Sequence, residues 1–167
     1  MTSIQAPADH LVAPASNTWI RGHQPTAEAD VPQLRAAVGD HCRSQAKQAD
    51  RSVDELALFM VGLVATELLS NAIRHTTGTS DRPAAGIRPS VALLAQVLED
   101  GRILIAVSDC SPAGPNPKLV DRDEAEGGRG LKIVHEITHA CWGWHPLPSG
   151  KSIWAICPNI FTVDTAA

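Results

Sequence analysis

Residues 52–78, SVDELALFMVGLVATELLSNAIRHTTG, carry the longest helical pattern in the chain. Ser52 followed three residues later by Glu55 has the form of a capping box, and Gly78 supplies a stop. The pattern predicts one helix from Val53 to about His75. Leu56, Met60, Leu63, Glu67 and Asn71 recur at steps of four, three, four and four, so they share one stripe. This stripe is expected to face the core, and it turns polar halfway along. An unpaired buried carboxylate costs several kcal/mol, so Glu67 there requires a cation, a hydrogen-bond network or a pocket. The plainer reading is that the end of the helix emerges into solvent. Where a pocket exists, Glu67 can accept a proton from an attacking hydroxyl or water, and the amide oxygen of Asn71 one turn on can ligate a hard cation such as Mg²⁺. His75 extends the row, with a helix-end cap as its simpler role.

Upstream, apolar residues at Val31, Leu34, Ala37 and Val38 predict a helix over Val31 to Ala49, with Asp30 as N-cap and Pro32 in the first turn. SNTWIRGH before it alternates weakly, as a first edge strand would. Downstream, TTGTSDRPAAGIRPS reads as a surface loop. VALLAQVL from Val91 and ILIAVS from Ile103 then read as strands joined by a tight turn at Asp100-Gly101. Their near-continuous apolar character predicts cover on both faces. DCSPAGPNPKLVDRDEAEGG, residues 109–128, has no periodicity and the length of a lid or binding loop. A helix over Gly130 to Ala140 follows, and ACWGWHP and KSIWAICP form two closing strands around a turn at Pro148 to Gly150. The expected architecture is an α/β (α+β) two-layer sandwich, a mixed, largely antiparallel sheet covered on one face by helices. Residues 1–16 are expected to be a loose arm, 17–158 the domain and 159–167 a tail.

Composition narrows the function. The 167 residues are 44% apolar and 19% charged with a net charge of −4, which suits one domain that needs no staples. No basic cluster exceeds two neighbours, so direct nucleic-acid binding is not expected. The longest unbroken apolar run, Leu56 to Ala65, is half of the ~20 residues a membrane span takes, and the N-terminus lacks a signal-peptide pattern. Cys42, Cys110, Cys141 and Cys157 form no CxxC pair and read as buried thiols in a reducing compartment. A cytoplasmic protein without membrane contact is expected.

Two further segments carry chemistry. Asp109 ends an apolar strand at the edge of the long loop, where a carboxylate can accept a hydrogen bond from an exocyclic amine such as that of adenine. EGGRGLKIV sets Gly127, Gly128 and Gly130 before a helix, where free N–H groups attract phosphate, with Arg129 and Lys132 adding charge.

In chain order, ELLSNAIRH, VSDCSPAGPNP, GGRGLKIV and GKSIWAI make the sequence resemble the histidine-kinase-like (GHKL, Bergerat-fold) ATPases, above all their anti-sigma factor serine kinase branch. The resemblance spans roughly Asn17 to Pro158. It implies ATP and Mg²⁺ as cofactors, with Glu67 as the catalytic carboxylate and Asn71 as the Mg²⁺-binding amide. It also implies Asp109 and Gly114 on the adenine side, Gly128, Arg129, Gly130 and Leu131 on the phosphate side, and Ser152 near adenine. Ser111 and Pro112 stand where many members carry the first glycine of a DxGxG box, so that turn must be built differently. The implied function is a regulator that phosphorylates a Ser or Thr of a protein antagonist or sequesters a sigma factor, and homodimers occur among such relatives. A non-catalytic ATP-holding module is the alternative.

One motif competes. His135, Glu136 and His139 spell HEITH, the HExxH of zinc metalloproteases, with His145 ten residues after the first histidine. The extended form fails, because Trp142 occupies its glycine position and no methionine lies downstream. Trp142, Trp144 and Trp154 read as sheet-packing residues, with base stacking as a lesser possibility.

Overall fold

The computed structural model describes residues 18–24, 27–77, 90–111, 114 and 129–162. Five strands and three helices follow in the order β1 (Thr18–Gln24), α1 (Val31–Gln48), α2 (Glu55–Thr77), β2 (Val91–Val97), β3 (Ile103–Asp109), α3 (Arg129–Ile137), β4 (Trp142–Leu147) and β5 (Gly150–Cys157). The sheet order is β1-β2-β3-β5-β4, and all four pairings are antiparallel. The helices lie on one face, α2 in the middle against β3 and β5, flanked by α1 and α3. This is the helix-covered antiparallel sheet that the sequence predicts, with the weakly alternating first strand at one edge.

α2 is placed one residue differently from its sequence pattern. Its cap is Asp54, whose Oδ1 accepts the Leu56 and Ala57 N–H groups at 2.9 and 3.1 Å. The expected cap, Ser52, instead takes the Thr162 N–H on its backbone carbonyl, and Val53 bridges to Phe161. The stripe that reaches the core is Ala57, Val61, Val64, Leu68 and Ala72, the predicted stripe moved by one position, or about 100° round the helix. Leu56 is therefore 67% exposed, not buried. The helix is apolar nearly all round, so periodicity fixes that it is a helix and leaves its facing open. The Glu67–Asn71 row consequently runs along the flank of the core, half-buried at Glu67 and buried at Asn71. By length and composition alone Glu55–Thr76 could cross a membrane, and more than half of its apolar window is buried in this fold.

The strands correct a second expectation. Burial alternates strictly along β2 and β3, with Val91, Leu93, Ala95 and Val97 inward and registered against Asp109, Val107, Ile105 and Ile103. Among the described residues only one face is covered by helices; Ala92, Leu94, Leu104 and Ala106 on the other face are half-buried. Short side chains such as Ala92 and Ala106 let that face read as apolar without a second layer against it. The β2–β3 turn uses Gly101 at φ 81°, where the Asn159 and Phe161 side chains press so closely that no Cβ fits. The first residues of the expected tail are built into the fold, since Ile160 is fully buried and exchanges backbone hydrogen bonds with Gly101 and Asp54. The expected N-terminal arm lies outside the described residues.

Candidate functional site

The inward-facing ladder of β3 and β5 pairs Ile103 with Cys157, Ile105 with Ala155 and Val107 with Ile153, and ends with Asp109 opposite Lys151. Apolar rungs thus give way to a charged rung at one end of the sheet. Both side chains are 1% exposed, and Lys151 Nζ donates to Asp109 Oδ1 at 2.9 Å and to the Ser111 carbonyl at 3.4 Å. The Ser111 N–H also donates to Oδ1, at 2.8 Å. This Asx turn carries the chain out of β3. At the head of β5, Gly150 approaches the Asp109 backbone so closely that a Cβ there would collide with the Asp109 carbonyl. Among the described residues, all donors converge on one oxygen of Asp109. Its other oxygen, Oδ2, is buried and has no hydrogen-bond partner among the described residues.

On the flank of α2, Glu67 and Asn71 stand where α3 begins against them. A Cβ at Gly130 would collide with Glu67 Oε2 and lie 3.5 Å from Asn71 Nδ2, so only glycine lets the start of α3 come this close to the acid and the amide. Asn71 Oδ1 accepts a hydrogen bond from Arg74 Nη2 at 3.0 Å, and Arg74 Nε is tied to the Ser70 carbonyl at 3.1 Å. His75 stands near the charged rung. Burial first, then the Lys151 charge, hold its imidazole below the usual histidine range, while Asp109 acts in the opposite direction. Glu67 also faces an open cavity of about 450 Å³ that Glu28, just before α1, and Val31, Pro32 and Arg35 of α1 complete.

Residues 25–156 match the model of the histidine kinase-like ATPase domain. The chain belongs to this family. No curated protein matches the chain. Among solved structures, the histidine kinase domain of the Erythrobacter litoralis EL346 blue-light activated histidine kinase is similar at 19% identity and a TM-score of 0.46, covering 75% of this chain and 60% of that one. A second structure of the same kinase gives 19% identity and a TM-score of 0.47, covering 78% of this chain and 41% of that one.

Within this histidine kinase-like ATPase domain, the sequence-predicted residues fall into two groups. Glu67, Asn71 and Gly130 meet, and Asp109 lies at the end of the helix-facing ladder. Gly114 packs on the Trp144 ring, against which a Cβ would collide. Leu131 is buried in the core and Arg129 is exposed, while Gly128 and Pro112 lie outside the described residues. Ser152 follows Lys151 on β5 and pairs with Ser108 and His145, which puts it on the sheet face away from the helices. Lys151 is a buried charged residue of the site that the sequence pattern does not single out. Only the antiparallel register of β3 and β5, which sets it directly opposite Asp109, brings it to the site.

The zinc pattern does not survive the backbone. α3 ends at Ile137, and His139 and Ala140 adopt φ of 48° and 65°, so the two HEITH histidines do not share one helical face. His135 Nδ1 accepts the Trp142 indole N–H at 3.3 Å. Among the described residues no cluster of three or more His, Cys, Asp or Glu could hold a metal. Trp142 and Trp144, registered against Ala155 and Ile153, share the helix-side face, whereas Trp154 packs on Gly143 on the opposite one.

Proposed function

We propose that this ATPase domain binds ATP with Mg²⁺ and transfers the γ-phosphoryl group to a Ser or Thr hydroxyl of a protein partner, acting in the cytoplasm as an anti-sigma-type regulator. The observation that carries the reading is Asp109 Oδ2, a buried acceptor without a donor among the described residues that stands on the helix side of the sheet. Leaving such an atom unpaired costs about 1–3 kcal/mol, and an exocyclic amine of adenine is the donor that would relieve it. The Gly130 approach supports the other end, since it leaves Glu67 and Asn71 side by side at the N-terminus of α3, where phosphate is favoured.

In this reading Glu67 takes the proton of the incoming hydroxyl as its oxygen bonds to the γ-phosphorus and the bond to the β–γ bridging oxygen breaks, releasing ADP. Asn71 would hold Mg²⁺ through Oδ1 once Arg74 swings away, and the ion would supply positive charge to the phosphates. The protein partner, a sigma factor or an antagonist of the regulator, would present its hydroxyl to Glu67. A module that holds ATP without transferring phosphate is the second reading, favoured by the Arg74 bond that engages the metal-binding oxygen of Asn71. Incubation with γ-labelled ATP and candidate partner proteins separates them. Label on a partner Ser or Thr supports transfer, and nucleotide binding without label supports the holding module.

A further inference from the structure

The buried ion pair at the end of the β3–β5 ladder does more than neutralise Asp109. We propose that Lys151 is the positioning residue that sets base specificity, by fixing the Asp109 carboxylate so that Oδ2 alone is offered to the 6-position of the purine. This inference rests on the adenine-nucleotide reading given above. Lys151 is fully buried, and its Nζ lies 2.9 Å from Oδ1. The Ser111 N–H takes the same oxygen at 2.8 Å. Among the described residues, two donors on Oδ1 and none on Oδ2 leave the carboxylate group one orientation and one open acceptor. Lys151 is itself anchored by the Ser111 carbonyl and by its place on β5 directly opposite Asp109, so the clamp is part of the sheet. A paired carboxylate accepts and does not donate. It therefore welcomes a 6-amino group and repels a 6-oxo group.

The test compares ATP with ITP, which differs at the 6-position and in the N1 proton that accompanies it, by calorimetric titration of the full chain. The wild-type chain is expected to favour ATP by about thirtyfold or more, as sites built around one buried polar contact do. In Asp109→Asn, Lys151 and the Ser111 N–H should keep the amide oxygen to themselves and turn the amide N–H₂ toward the base, so the preference inverts toward ITP by about tenfold. In Lys151→Met the side chain at 109 is released and the preference should collapse to within about threefold, while Lys151→Arg restores it. An ATP preference that persists in Lys151→Met, or an Asp109→Asn protein that binds both nucleotides equally or still favours ATP, overturns the role of Lys151 and leaves the nucleotide reading standing. If Lys151→Met does not fold, the sign of the Asp109→Asn preference decides alone. A wild-type chain that binds neither nucleotide removes the adenine reading itself.

Discussion

Glu67 is exposed enough to meet a hydroxyl and close enough to Gly130 that a Cβ there would have to displace its carboxylate. Replacing it with alanine should leave nucleotide affinity within about threefold and reduce phosphoryl transfer by about a hundredfold or more, the scale of one general base, read as incorporation of label into the partner. Asn71→Ala should instead remove the Mg²⁺-dependent part of nucleotide binding. Gly130→Ala pushes a methyl group into Glu67 Oε2 and should lower transfer to a similar degree while the chain stays folded, because the carboxylate end can swing aside. His75 gives a pH signature. Its imidazole sits below its ordinary 6.5 in the folded chain, so as pH falls the unfolded chain takes up the proton first. Stability should therefore fall as pH drops through about 6.5 and level off once the folded imidazole is protonated too. Urea unfolding at pH 7.5 and 5.5 should show this decrement in the wild-type chain and a smaller one in His75→Gln. Asp109, Glu67 and Asn71 were all visible in the sequence because each breaks an apolar pattern. Lys151 was not, since nothing in GKSIWAI shows that its neighbour across the strand is an aspartate.

At the scale of the element, α2 shows what a sequence pattern can and cannot carry. Its existence and extent follow from 23 residues of helix-compatible, mostly apolar sequence, yet the same uniformity hid which face is buried. Packing decided it, through β3 and β5 on one side and α1 and α3 on the flanks. The cap is ambiguous in sequence for a related reason: SVDE carries both Ser52 and Asp54, and the bridge of Val53 to Phe161 leaves the role to Asp54. Asp54→Ala should thus cost about 1 kcal/mol in denaturant unfolding, and Ser52→Ala close to nothing. The opposite ranking would return the cap to Ser52. Between α1 and β5, burial raises the Cys42 and Cys157 thiols to about 12, so both should resist alkylation at pH 8 until the chain is unfolded.

At the scale of the molecule, the fold delivers two half-sites to one side of a single sheet. A strand end brings a charged rung with one unsatisfied acceptor, and a helix flank brings an acid and an amide against a glycine. The order of strands and helices was legible from turns and periodicity, and it closely predicted this antiparallel sheet with helices on one face. The face of Ser152 was not, because one residue of register along β5 separates it from the site. Both half-sites are explained if a purine nucleotide joins them with its base at Asp109 and its phosphates at Gly130. Calorimetric titration of the full chain with ATP, with and without Mg²⁺, tests this most directly. Saturable binding that weakens at least about tenfold without Mg²⁺, and likewise in Asn71→Ala, is the predicted result. An absence of binding at millimolar ATP, or affinity unaffected by both the metal and Asn71, would contradict it.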